Sequence, residues 1–358
     1  MVIERTMSGE PLAVVVRGGR VESVHTGHLV ALGPDGRICL AVGDPGVVIW
    51  PRSSLKPVQA VAMLRAGLAI DDAGLALACG SHSGTAEHLA VVRGVLAGVG
   101  LTEADLRNTP DLPLDAEAAA AWQAAGGGPA SVTQNCSGKH AAMLATCVAA
   151  GWDIAGYLDP QHPLQRAVAM TVADLTGEPV VDVTVDGCGA PLFATTVLGL
   201  ARAFGRLAAA GADAGRSDAE ARVARAMGRH PRLVGGPGRD VSRFLAAVPG
   251  LVAKDGAEGV YAAGLPDGSA VAFKVADGAA RPRAPIMAAA FEVLWAAAGV
   301  APDASVLAQV RDVGRIPVLG HGRPVGAVVA MLGGGPGDGE AAGGVAGLGA
   351  PAEIGRQW

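Results

Sequence analysis

Short apolar segments near the start of the chain alternate with turns that contain glycine. Segments rich in β-branched residues and bounded by turn residues predict strands, and short connections between them favour antiparallel pairing. The turns fall at residues 17–20 and 33–36. The predicted strands are 12–16, 21–32, 38–42 and 47–50.

The middle of the chain carries the apolar spacing of helices, and strands return near its end. Residues 75–79 predict either a short strand or a helix, and residues 180–185 predict a further strand. The closing strands are predicted at 251–254, 270–275 and 324–332. The predicted helices are 58–64, 87–96, 116–125, 141–150, 163–175, 195–210, 218–227, 241–247 and 285–298, the last being the final long helix.

Strands at both ends with helices between them predict an α/β (α+β) fold. We expect a mixed, largely antiparallel sheet flanked by helices, with the last strands beside the first. One domain is predicted over residues 1–332, with its helical portion at about 195–248. Residues 333–358 are rich in Gly and Ala without a hydrophobic period, and this predicts a disordered tail.

Composition narrows the classes of protein. Half of the 358 residues are hydrophobic but only 3% are aromatic, so the core must be built from Ala, Val and Leu. The net charge of −5 and the lack of a dense basic run argue against nucleic-acid binding. We see no signal-peptide pattern and no 18-residue apolar run, so we expect no membrane contact and a cytoplasmic location. Five cysteines, an odd number, favour free thiols or a metal site over a disulfide framework.

The first candidate for chemistry is a serine three residues before a lysine. Ser53 and Lys56 follow an apolar run and open a predicted helix. Positions i and i+3 share a helix face, and a neutral lysine amine can take the proton that makes a serine nucleophilic. The alternative is that Ser53 only caps the helix while Lys56 is solvated in its first turn.

Two further polar positions follow apolar segments. Ser81 lies in the Gly/Ser segment 79–84, where a fold commonly presents side chains to a cleft. Lys254 ends an apolar strand, and it could stabilise an anion and lower the pKa of a neighbouring lysine. The alternatives are an ordinary turn at Ser81 and an edge-strand lysine that discourages aggregation.

Two cysteines and a lysine form a third candidate site. Cys136 and Lys139 share a face at the start of a predicted helix, and Cys188 lies in a turn flanked by glycines. Two thiolates with a third donor could hold zinc, which prefers four N, S or O ligands. The alternative is two buried free thiols and a surface lysine.

Taken in order, these motifs resemble the Rhizobium-type (inducible, thermolabile) L-asparaginase family. That family is similar in fold to the serine β-lactamases and glutaminases. The resemblance runs from about residue 14 to about residue 275, and the ordered set is specific although each motif alone is weak. The segments that carry it are 21–25, 52–57, 79–83, 135–140, 186–188, 230–231, 238–239 and 251–254.

The resemblance implies an amidohydrolase that converts L-asparagine to L-aspartate and ammonia. Its implied machinery is two Ser–Lys pairs, Ser53 with Lys56 and Ser81 with Lys254. We expect Ser53 to be the nucleophile and Lys56 the base, because a helix enforces their contact. The reverse assignment, in which Ser81 attacks, stays open.

The resemblance also implies a zinc ion near the substrate that is not clearly essential to the chemistry, and a homodimer. The implied zinc ligands are Cys136, Lys139 and Cys188.

A free amino acid needs charged partners for its α-groups. Asp186 is a candidate for the α-ammonium group, and Arg52 or Arg239 for the carboxylate, on charge alone.

Other functions compete with this prediction. A glutaminase or another hydrolase of small amides would differ little, because one methylene is worth only about 1–3 kcal/mol in an apolar pocket. A penicillin-recognising serine hydrolase would need a Lys-Thr-Gly strand and a further motif that the chain lacks at the expected places. A ligand-binding protein without chemistry would not need the intact serines and lysines.

Overall fold

The main sheet has eight strands in a computed structural model that describes residues 9–332. The order is β11-β12-β1-β2-β10-β9-β8, with β3 also paired to β2, and every pairing is antiparallel. Its strands are β1 Glu10–Arg17, β2 Arg20–Leu32, β3 Ile38–Val42, β8 Val252–Asp255, β9 Val260–Gly264, β10 Ala270–Val275, β11 Ile316–Gly320 and β12 Arg323–Ala330.

The first and last strands lie side by side, because β1 pairs with β12 from Ala13↔Ala330 to Arg17↔Gly326. The predicted fold class, a largely antiparallel sheet flanked by helices, is therefore confirmed. Two small pairs lie apart from the sheet. They are β4 Val48–Ile49 with β7 Thr195–Thr196, and β5 Val183–Val185 with β6 Pro191–Phe193.

Twelve α-helices flank the sheet within residues 9–332. Two short 3-10 helices, Arg52–Leu55 and Glu103–Asp105, accompany them. The α-helices are α1 Lys56–Arg65, α2 Asp72–Ala78, α3 Ala86–Ala97, α4 Ala116–Ala124, α5 Ser137–Ala150, α6 Pro163–Thr176, α7 Val197–Ala212, α8 Ala219–Arg229, α9 Pro231–Val234, α10 Asp240–Ala247, α11 Arg283–Ala297 and α12 Ala304–Val313.

The two faces of the sheet are covered by different helices. On one face, Gly264 of β9 lies so close to α7 that a Cβ there would be 2.2 Å from the Phe204 carbonyl oxygen. On the other face, the rings of Phe273 and Tyr261 pack at a tilt, Phe244 packs edge-on against Tyr261, and Phe291 packs edge-on against Phe244. Paired residues of adjacent strands point to the same face, so Lys254 shares the α7 face with Ala262 and Ala272.

The structure decides one open prediction and adds elements that were not predicted. For residues 75–79, predicted as a strand or a helix, the helix is confirmed, because residues 75–78 belong to α2 and Cys79 follows its end. Helix α2 begins where the Asp71 side chain accepts a hydrogen bond from the Gly74 N–H at 2.8 Å. Strand β9 was missed because it is buried on both faces and so lacks alternation. Helix α12 and strand β11 follow what was expected to be the final long helix.

The predicted tail, residues 333–358, lies outside the described residues, and the single-domain boundary at residue 332 stays a prediction. None of the helices within the described part has both the length and the apolar character that crossing a membrane demands.

Candidate active site

Ser53 and Lys56 lie where a 3-10 helix runs into helix α1. Side chains at i and i+3 eclipse in a 3-10 helix, so the two residues share a face, as their spacing predicted. Lys56 is buried, with 1% of its surface exposed, whereas Ser53 is half-buried. The neighbouring Ser54 hydroxyl donates to the Pro51 carbonyl oxygen at 2.6 Å and so turns away from this face.

The Lys56 ammonium contacts Ser81 from across the fold. Its Nζ donates to the Ser81 Oγ at 3.1 Å and to the Gly80 carbonyl oxygen at 2.5 Å. Gly80 lets the Ser81 loop pack against helix α9, because a Cβ at residue 80 would be 2.6 Å from the Leu233 carbonyl oxygen. The Ser53 hydroxyl, by contrast, has no hydrogen-bond partner in residues 9–332. The hydrogen bond therefore joins Lys56 to Ser81, where the family pairing joins Lys56 to Ser53.

Lys254 is fully buried at the end of β8 and lies in the same cluster. Its Nζ donates to the carbonyl oxygen and to Oδ1 of Asp255, both at 2.5 Å, rather than to Ser81. Gly256 brings this strand end against the 3-10 helix, because a Cβ there would be 2.8 Å from the Pro51 carbonyl oxygen. The structure thus brings Ser53, Lys56 and Lys254 to one place.

The electrostatics of this cluster disfavour a charge on Lys254. Burial lowers the pKa of Lys254, the nearby cations Lys56 and Arg239 lower it further, and Asp255 only partly opposes them. The resulting pKa is about 8, well below the ordinary lysine value. An appreciable fraction of this amine is therefore uncharged near neutral pH.

Asp255 links Lys254 to the Ser81 loop through Arg239, and the sequence did not reveal it. Its carboxylate accepts from Arg239 at 2.6 Å, and Arg239 also donates to the Ser81 carbonyl oxygen at 3.1 Å. Burial opposes the charge of Asp255, but Lys254, Arg239 and Arg283 outweigh it and hold its pKa well below the usual range. The guanidinium of Arg239, a candidate for the substrate carboxylate, is thus already engaged. A buried Asp directly after a strand-end lysine was the available signal.

Arg52 and Asp186 form an ion pair beside Ser53. The Arg52 Nε donates to the Asp186 Oδ1 at 2.7 Å, and the side chains are 26% and 11% exposed. Burial would raise the pKa of Asp186, but Lys139 and Arg52 hold it below its usual value. Asp186 therefore carries its negative charge between the serine–lysine cluster and the cysteines.

Cys136, Lys139 and Cys188 are brought together, as predicted, and all three are buried. The Lys139 Nζ donates to the Cys188 Sγ at 3.1 Å. A hydrogen bond from Cys136 lowers the pKa of Cys188 to about 5 against the effect of burial, with Lys139 contributing. The same hydrogen bond raises the pKa of Cys136 to about 12. Cys188 is thus a thiolate at neutral pH, and the prediction that Lys139 lies at the surface, the alternative to a zinc site, is wrong.

The donors of this cluster fit a zinc site with two sulfurs and one nitrogen. Zinc takes thiolate ligands, and Cys188 already carries the charge that a ligand needs. Lys139 would have to lose a proton to ligate, because Cys188, Cys136 and Asp186 raise its pKa despite burial. Among residues 9–332, no three His, Cys, Asp or Glu side chains cluster as a metal site. Any zinc site here therefore depends on Lys139 and on a fourth ligand from outside the cluster.

The chain is thus an α/β protein with two buried lysine clusters, one in which Lys56 contacts Ser81 and one in which Lys139 contacts Cys188. The family model of L-asparaginase II matches residues 13–330. The chain belongs to the L-asparaginase II family, which confirms the predicted resemblance and supports an L-asparaginase activity.

The chain is also similar to solved structures. The chain is similar to Mglu, whose crystal structure was analysed in its tris and glutamate form, at 16% identity and a TM-score of 0.40. The similarity covers 82% of this chain and 65% of that one, so the chain spans slightly less than two thirds of Mglu. No curated protein matches the chain.

Proposed function

We propose that the protein hydrolyses L-asparagine to L-aspartate and ammonia through the Ser–Lys cluster. One observation carries the proposal. The buried Lys56 amine is 3.1 Å from the Ser81 hydroxyl and lies one 3-10 turn after Ser53. We infer that Lys56 also serves Ser53, so that a single amine takes a proton from the Ser53 hydroxyl and returns it through the Ser81 hydroxyl.

Ser53 is the proposed nucleophile, because its hydroxyl is half-buried and free of other hydrogen bonds within the described residues. Its oxygen attacks the side-chain amide carbon while its proton passes to the Lys56 amine. The carbon–nitrogen bond then breaks, and Ser81 relays the proton from Lys56 to the departing ammonia. Water hydrolyses the aspartyl ester, which restores Ser53 and releases aspartate.

Lys254 is proposed to exchange protons with the Ser–Lys cluster. Burial and the neighbouring cations Lys56 and Arg239 lower its pKa to about 8, so this amine can accept or release a proton near neutral pH. Asp255 holds the Lys254 amine in one orientation through two hydrogen bonds. The lone pair of the uncharged amine then has a fixed direction. Once protonated, Lys254 would also stabilise the developing oxyanion.

The Arg52–Asp186 pair suits the charged end of asparagine. The substrate's α-carboxylate would meet Arg52 and its α-ammonium would meet Asp186, so each charge finds an opposite one at the edge of the cluster. Arg239 is assigned instead to positioning Asp255 and the Ser81 loop.

Zinc would be held by Cys136, Lys139 and Cys188 and would supply a positive centre beside Asp186 when bound. The residues of the chain itself bind the substrate, orient it and move its protons. A homodimer and a cytoplasmic location remain predictions.

The experiment is ammonia release from asparagine by purified variants. Ser53→Ala and Lys56→Ala should each abolish turnover while thermal unfolding stays cooperative. Ser54→Ala is the matched control, because this adjacent serine turns away from the cluster, and it should retain turnover. Wild-type rates in Ser53→Ala or Lys56→Ala would end the proposal.

A further inference from the structure

A cavity of about 470 Å³ begins at Arg52, the residue directly before the proposed nucleophile. Its volume falls within the range of small-molecule sites. Much of its wall is apolar, formed by Trp50, Ile49 and Leu192, and Lys274 lies in it with Arg52. The catalytic cluster therefore has a neighbouring space of a size that asparagine alone does not require.

The cavity lies on the catalytic face of the sheet. Lys274 of β10 pairs with Val260 of β9. Two residues away along these strands, Ala272 of β10 pairs with Ala262 of β9, which in turn pairs with Lys254 of β8. Side chains two residues apart on a strand point to the same face. Lys274 and Lys254 therefore emerge from the same side of the sheet.

Among the described residues, Lys274 is a cation that no carboxylate contacts directly, although Glu258 and Asp182 also line the cavity and Glu258 acts on Lys274 electrostatically. Its Nζ donates to the Val275 carbonyl oxygen at 2.5 Å and forms no ion pair in the part of the chain that the structure describes. A half-buried ammonium beside apolar walls is a suitable anchor for the carboxylate of a ligand.

Two non-glycine residues with positive φ line this cavity. Arg52 has φ of 52° and Glu258 has φ of 55°. Side chains with a Cβ adopt this region at a cost, and such residues cluster at binding and catalytic sites. Backbone strain therefore occurs at two residues of the cavity wall, one of which directly precedes Ser53.

We propose that this cavity is a subsite for the second residue of L-asparaginyl dipeptides with an apolar C-terminal residue. The α-ammonium group would remain at Asp186, and the peptide carbonyl would replace the α-carboxylate at Arg52. The apolar side chain then enters the space beside Trp50 and Leu192, and the terminal carboxylate meets Lys274.

The reaction is the proposed one on a longer substrate, and the inference rests on the proposed function. In Asn-Leu the side-chain carbon–nitrogen bond breaks, one water is consumed, and the products are Asp-Leu and ammonia. The peptide bond stays intact, so mass spectrometry of the product separates this reaction from peptide cleavage followed by asparagine hydrolysis.

The experiment compares kcat/KM for asparagine, Asn-Leu, Asn-Gly and Asn-Leu amide. We expect Asn-Leu to be converted to Asp-Leu with roughly tenfold or greater preference over Asn-Gly. Lys274→Met should lower the ratio of Asn-Leu to asparagine about tenfold and leave the ratio for Asn-Leu amide, which lacks the carboxylate, unchanged. Arg202→Met, which removes an exposed cation from a different cavity, is the matched control and should alter neither ratio.

The outcomes separate the two proposals. Asparagine hydrolysed without Asn-Leu hydrolysis would overturn the subsite alone. Free leucine as product, or equal effects of Lys274→Met on Asn-Leu and its amide, would also overturn it. Failure on asparagine itself, with the protein folded, would overturn the proposed function.

Discussion

Two buried lysines in this molecule have opposite pKa shifts. Lys254 and Lys139 are both almost fully buried, yet the pKa of Lys254 falls to about 8 while that of Lys139 rises. Burial lowers the pKa of both. The neighbours differ, because Lys254 lies near the cations Lys56 and Arg239, whereas Lys139 lies near Cys188, Cys136 and Asp186.

The difference shows how one residue type can serve two purposes. A lysine among cations is ready to lose its proton and suits acid–base chemistry. A lysine among thiols and a carboxylate stays charged until something displaces its proton, and it holds a thiolate in place meanwhile. Asp186 lies between the clusters, because it pairs with Arg52 and also raises the pKa of Lys139.

The largest expected effects, on activity and zinc content, come from replacing Lys254 and Lys139 one at a time by methionine. Lys254→Met should lower kcat/KM for asparagine by roughly 10²–10⁴-fold, the usual range for a lost proton-transfer group, and keep its zinc. Lys139→Met should reduce zinc from about one ion per chain to almost none and lower kcat/KM by less than Lys254→Met does. Steady-state kinetics of both variants give kcat/KM, and elemental analysis gives their zinc content. Equal zinc loss in the two variants would show that the clusters do not act separately.

A smaller effect is expected in the pH dependence of stability. The pKa of Lys254 is about 8 in the folded chain and about 10.4 when unfolded, so the unfolded chain binds more protons between these values. Stability from this group should therefore rise with pH from about 8 to 10, by up to about 3 kcal/mol. Urea unfolding of the wild type and of Lys254→Met at several pH values gives the difference. A flat difference would show that Lys254 keeps an ordinary pKa.

The sequence was informative about which residues meet and less so about how they pair. The candidate serines, lysines and cysteines could be found because they lie in short polar segments that follow apolar ones. The i, i+3 spacing of Ser53 and Lys56 predicted that the two residues share a helix face. The Lys56–Ser81 hydrogen bond could not be predicted, because it depends on how helix α1 and the Ser81 loop, which are separate in sequence, pack in the folded chain.

Asp255 and strand β9 are features that the sequence did not predict. The role of Asp255 depends on Arg239 and Arg283, which are distant in the chain and reach it only after the sheet forms. Strand β9 is buried on both faces, so its residues carry no alternation to detect. Both depend on tertiary packing rather than on local pattern.

The most direct test of the Ser–Lys mechanism is the site of the covalent intermediate. Enzyme quenched with acid during asparagine turnover would be digested, and its peptides examined by mass spectrometry for an added aspartyl group. We predict the group on the Ser53 hydroxyl. An aspartyl group on Ser81, or none on either serine during active turnover, would contradict the mechanism.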